Sequence, residues 1–91
     1  MAARVHIPSM LRSLYRTQPI EVVEASTVAE MAHALDARFP GFRERLLEPD
    51  GELRRYVGVF VNGEDVRWQA EAGSALEANA EIWIVGNVAG G

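Results

Sequence analysis

One stretch of the sequence, TVAEMAHALDARF from Thr27 to Phe39, carries a long helical period, and it limits the possible folds more than any other feature. Val28, Met31, Ala32, Leu35 and Phe39 fall at offsets of 3, 4, 7 and 11, a single apolar stripe on an amphipathic helix. Thr27 and Glu30 form a capping box, in which the Thr27 hydroxyl accepts from the Glu30 amide while the Glu30 carboxylate reaches back. Pro40-Gly41 ends the helix. A stripe of Met and aromatic residues at this spacing reads as core. In a chain of 91 residues, 48% of them hydrophobic, one such helix implies one modest core, with the remaining apolar segments arranged as a sheet against it.

Those segments alternate rather than run at helical spacing. RVHI is expected to be a first strand with Val5 and Ile7 facing inward. PSMLRSLYRTQP connects it to IEVVEA, a second strand whose double valine, Val22-Val23, leaves the inward face open. After the helix, FRERLL adds one helical turn and EPDGE an exposed turn. YVGVFV is the strongest strand signal, and Asn62-Gly63 behind it tolerates the positive φ of a tight hairpin. DVRW is expected to be the fourth strand, and EIWIV the last, entered through a loop around Leu76 with Asn79 as a left-handed residue. The order β-β-α-β-β-β predicts an α+β domain with a mixed sheet of four to five strands on one main helix.

Composition removes whole classes of chemistry. The sequence has no Cys, hence no disulfide, thiolate nucleophile or thiolate-held metal cluster. All nine cationic residues are Arg, which excludes a Walker-A lysine and a lysine Schiff base. His6 and His33 lack the paired spacing of a metal site, and each reads as structural. Arg54-Arg55 reads as a solvated pair. A catalyst in its own right is not expected, nor a resident metal or cofactor. A net charge of −4 argues against nucleic acid and anionic membrane as partners and toward a partner that presents positive charge. No apolar run approaches the roughly 20 residues that cross a bilayer, so a cytoplasmic protein, monomeric in isolation, is expected.

The chain ends NVAGG. Two bare glycines at a terminus are ordinary in a frayed end, but combined with the element order they acquire a meaning. The β-β-α-β-β-β order with a C-terminal strand running into Gly-Gly resembles the β-grasp fold of ubiquitin. More closely, the chain is similar to the ThiS/MoaD-type sulfur-carrier family, and within it to carriers of the CysO type. The resemblance rests on LRRYVGVFVNGEDVR, Leu53 to Arg67, and on the terminal Val-Ala-Gly-Gly, and it spans about Val5 to Gly91. The sequence departs from the family pattern at Gly86-Asn87, where Pro is frequent, and at Asn79-Ala80-Glu81, where Gly-Asp-Glu is frequent.

The resemblance implies a division into a β-grasp domain, residues 1–85, and a flexible tail, residues 86–91. Extended at about 3.3–3.6 Å per residue, such a tail reaches roughly 20 Å. Gly91 would carry sulfur as a terminal thiocarboxylate, while Val88, Ala89 and Gly90 thread into partner active sites, the glycines fitting channels too narrow for side chains. The implied partners are a MoeB/ThiF-type adenylating enzyme using ATP and Mg²⁺, a rhodanese-type sulfur donor, a sulfur-accepting synthase such as a CysM-like enzyme, and a metalloprotease. The same tail also suits a MoaD-like small subunit of molybdopterin synthase, or a ubiquitin-like protein modifier. A carrier also needs a docking face. Alternation puts Val57, Val59 and Val61 opposite Gly58 and Phe60, and Ile82 and Ile84 opposite Trp83 and Val85. With the aliphatic set inside, Phe60, Trp83 and Val85 are the expected docking residues.

Overall fold

A computed structural model describes residues 2–66 and 76–86. The elements run β1 (Ala2–His6), α1 (Ser9–Tyr15), β2 (Ile20–Glu24), α2 (Val28–Arg38), α3 (Phe42–Leu46), β3 (Val57–Val61), β4 (Glu64–Asp65) and β5 (Ala80–Gly86). The five strands form one mixed sheet in the order β2-β1-β5-β3-β4. Its centre is a parallel pair, β1 with β5, so the first and last strands of the chain lie side by side. β2, β3 and β4 join antiparallel on either side.

One face of this sheet is the core. Ala3, Val5, Val57, Val59, Ala80, Ile82 and Ile84 are buried there, together with Val28, Met31, Ala32 and Leu35 of α2. Leu11 of α1 and Phe42 and Leu46 of α3 complete the same cluster. The inward parity of β1, β3 and β5 is the one expected from alternation. In β2 the register decides what the sequence leaves open. Ala3 pairs with Val23 and Val5 with Glu21, and directly opposed residues share a face, so Val23 goes inward and Val22 outward. Glu21 is thereby buried as well; its carboxylate accepts from the Gln18 amide at 2.7 Å and from Arg38 Nη1 at 3.1 Å.

The first bond of the expected capping box forms, with Glu30 N–H donating to Thr27 Oγ1 at 3.0 Å. The Glu30 carboxylate reaches one residue further back than the cap, to Ser26 N–H at 2.7 Å. Asp36 Oδ1 then accepts from the amides of Gly41 and Arg43, securing the start of α3, the extra turn expected at FRERLL. Asn62 (φ 50°) and Gly63 (φ 88°) both take the left-handed conformation that a two-residue hairpin loop requires. Asn79 enters β5 with φ 60°, as its position implied.

Three expectations need correction. The connection after β1, for which no element is expected, holds α1, which Leu11 and Tyr15, one helical turn apart, tie to the core. Its extent escapes a reading of periodicity because it is a single short helix between two prolines. DVRW is not a strand as a whole: β4 ends at Asp65, while Arg67 and Trp68 lie outside the described residues. Arg54 is not a solvated charge, since its Nε donates to the Glu44 carbonyl at 2.6 Å and its Nη1 to Glu48 at 3.0 Å, holding residues 44 to 54 together.

Candidate functional site

The outer face of the sheet, opposite α2, carries Glu81, Trp83 and Val85 of β5 between β1 and β3. Parallel pairing with β1 brings His6 beside Trp83, and antiparallel pairing with β3 sets Phe60 on its other side and Gly58 opposite Val85. Trp83 is 50% exposed and Val85 39%, while Phe60 is half-buried. Alternation thus placed all three candidate docking residues on one face, with Trp83 projecting most. Gly58 shapes the patch, since a Cβ there would come within 2.8 Å of Val85 Cγ2, so its absence leaves room for Val85.

Trp83 is held in place. The His6 ring stacks on it with centroids 3.7 Å apart and planes within 6°. His6 Nε2 lies 2.6 Å from Glu81 Oε1, the ring N–H donating to the carboxylate, and Arg4 Nε donates to Glu81 Oε2 at 2.7 Å. The hydrogen bond from His6, the largest effect, outweighs the desolvation that opposes it, and with the lesser contribution of Arg4 holds Glu81 below the usual glutamate range. Arg4, Glu81, His6 and Trp83 therefore form a continuous chain of contacts across β1 and β5. Reading the sequence as isolated strands gives His6 a structural role but misses its stacking partner. The available signal was parity: Arg4 and His6 face away from Val5, as Glu81 and Trp83 face away from Ile82.

Beyond Val85 the strand reaches Gly86, opposite Val57 in the ladder. Gly86 has φ 102°, and an added Cβ would overlap the Tyr56 carbonyl oxygen, so only glycine fits. Its place in β5 means that the first residue assigned to the tail is hydrogen-bonded sheet. Gly86 also borders a shallow groove of about 440 Å³, walled by His6, Pro8, Arg12, Trp83 and Val85. Val88, Ala89, Gly90 and Gly91, the residues expected to thread and to carry sulfur, lie outside the described residues. His33 is exposed on α2, remote in sequence and element from this face. No helix among the described residues is long and apolar enough to cross a membrane.

A five-stranded mixed sheet with the chain's first and last strands paired at its centre, and one long helix across a single face, is a ubiquitin-like β-grasp domain. The chain belongs to the ThiS family, whose model matches residues 5–91. It is 33% identical to the sulfur carrier protein CysO of Mycobacterium tuberculosis over 93 aligned residues, covering 100% of both chains. It is also 33% identical over 70 residues to small archaeal modifier protein 3 of Haloferax volcanii, covering 77% of this chain and 75% of that one. Among solved structures it resembles a chain in the Amycolatopsis orientalis BexX/CysO complex, with a TM-score of 0.87 and 29% identity over 98% of this chain and 99% of that one.

Proposed function

We propose that this protein is a sulfur carrier that takes part in biosynthesis as a co-substrate, with Gly91 as the carrying residue. The observation that carries the reading is that the ThiS-family match runs through Gly90-Gly91, beyond a β-grasp domain whose strand β5 reaches the glycine-only position Gly86. The similarity to CysO over the full chain, and to the CysO that is found in complex with BexX, supports a carrier that works by docking on partner proteins.

The chemistry asked of Gly91 is simple. A free carboxylate is a poor electrophile, so an adenylating partner of the MoeB or ThiF type would use MgATP: a carboxylate oxygen attacks the α-phosphorus, pyrophosphate leaves, and an acyl-adenylate results. Sulfide attacking the acyl carbon displaces AMP and leaves the thiocarboxylate. With a persulfide donor of the rhodanese type, the terminal sulfur makes that attack, and a thiol then splits the acyl disulfide, ending as a disulfide itself. A synthase, CysM-like or of another biosynthetic route, would consume the thiocarboxylate. The protein's own part is positioning, since the docked face converts encounter into an effectively intramolecular reaction. The similarity to a small archaeal modifier favours a second reading, in which the activated Gly91 acylates lysines of other proteins.

Intact-mass spectrometry separates these. With the adenylating enzyme of the same organism, MgATP and sulfide, the protein should gain about 16 Da, oxygen replaced by sulfur, localised to Gly91. Deleting Gly91 should abolish the gain without changing thermal stability. No mass change, or sulfur placed elsewhere, refutes the carrier reading; lysine-linked conjugates without thiocarboxylate favour the modifier.

A further inference from the structure

The groove at the end of β5 contains a donor with no acceptor. Arg12, in the middle of α1, lines it together with His6, Pro8, Trp83, Val85 and Gly86. The Arg12 Nε–H is buried without a hydrogen-bond partner. Other arginines are engaged in bonds of their own: Arg4 with Glu81, Arg38 with Glu21 and the Val22 carbonyl, Arg54 with Glu48 and the Glu44 carbonyl. A buried donor left unpaired is a cost that the free protein carries and that an incoming acceptor would remove.

Three features define that acceptor. A guanidinium presents its N–H donors as a rigid planar fork, matched by the two oxygens of a carboxylate. Of the carboxylates on this face, Glu81 is already held by Arg4 and His6, Glu24 and Asp65 stand on the flanking strands β2 and β4, and none among the described residues lines the groove, so an acceptor from a partner fits it. The groove is open, has the apolar walls of Pro8, Trp83 and Val85, and borders Gly86, from which the chain continues toward Gly91. An occupant that covers such walls while offering a carboxylate is a protein side chain.

We propose that the groove receives an Asp or Glu side chain of the enzyme that docks on the Trp83 face, its carboxylate pairing with Arg12 while the surrounding partner surface covers Trp83 and Val85. The inference rests on the carrier reading and adds to it the chemistry of the partner at this point. The overall charge of −4 attracts a cationic surface. At this groove the polarity reverses, and a reversed charge pair beside an apolar anchor fixes the orientation in which the enzyme sits.

Titration calorimetry against the ThiF/MoeB-type adenylating enzyme of the same organism tests it, using wild type, Arg12→Gln, Arg12→Lys and Trp83→Ala. Arg12→Gln should weaken binding at least about tenfold, the size of a lost charge-assisted pair, and flatten its dependence on salt. Arg12→Lys should recover part of the loss. Because Arg12 Nε makes no bond in the free protein and its burial is a cost there, the melting temperature of Arg12→Gln should be no lower than that of wild type, and the Arg12 Nε–H resonance should shift when the enzyme is added. Weakened binding by Trp83→Ala alongside wild-type affinity in Arg12→Gln overturns the inference and leaves the docking reading standing. Loss of binding accompanied by a lowered melting temperature in Arg12→Gln makes Arg12 structural and also overturns it. Failure of wild type to bind the enzyme refutes the docking reading itself, and the groove assignment with it.

Discussion

Trp83 and Ile84 are neighbours on β5 that face opposite sides of the sheet, and replacing each by alanine separates docking from folding. Ile84 is 2% exposed within the core. Its truncation removes buried methylenes and leaves a cavity, at a cost of about 2–5 kcal/mol. Trp83 keeps half its surface in water, so the roughly 3–5 kcal/mol typical of a buried Trp falls by about half, to approximately 1.5–2.5 kcal/mol. Part of that remainder is the stacking on His6, which alone contributes about 0.5–1.5 kcal/mol. In a domain of this size each kcal/mol shifts the melting temperature by about 4–8 °C, so Ile84→Ala should fall furthest. Binding to the adenylating enzyme should rank the other way. Trp83→Ala should lose at least about 2 kcal/mol of affinity, the threshold of a buried aromatic anchor, and Ile84→Ala should lose little at temperatures where it is folded. Urea denaturation and titration calorimetry on both variants give the four numbers. If Trp83→Ala costs more folding stability than Ile84→Ala, or leaves affinity unchanged, the outer face is structural and the docking assignment is wrong.

Gly86→Ala should destabilise the domain by about 1–3 kcal/mol, because a side chain at that φ is strained and would overlap the Tyr56 carbonyl; an unchanged melting temperature would show that the end of β5 relaxes freely. Glu81→Gln bears on pH. The folded protein holds Glu81 below its ordinary range, so its ionised form contributes stability above the unfolded-state value, and that contribution disappears as pH falls through the depressed folded value. The stability gap between wild type and Glu81→Gln, measured by urea denaturation, should therefore be present at neutral pH and close under acid conditions below the usual glutamate range. A gap that widens on acidification would contradict the hydrogen-bonded carboxylate.

Local pattern made much of this protein legible. The Thr27 to Phe39 stripe, the Asn62-Gly63 turn, the left-handed Asn79 and the inward parity of β1, β3 and β5 follow from rules that act over a few residues, and each is present in the structure. Parity alone also put Phe60, Trp83 and Val85 on a common face, because residues two apart in a strand share a side wherever that strand is placed. What parity does not contain is which strands are neighbours. Only the pairing of β1 with β5, 75 residues apart at His6 and Glu81, turns an unremarkable histidine into the support of Trp83. The register of β2 likewise decided that Val23 and Glu21 go inward, since two adjacent valines offer no preference until β1 is set beside them. The groove at Arg12 depended on both the unrecognised helix α1 and the end of β5. Sequence determines the local periods and the residue types available to them; long-range pairing, which carries no local signature, determined which of those residues meet.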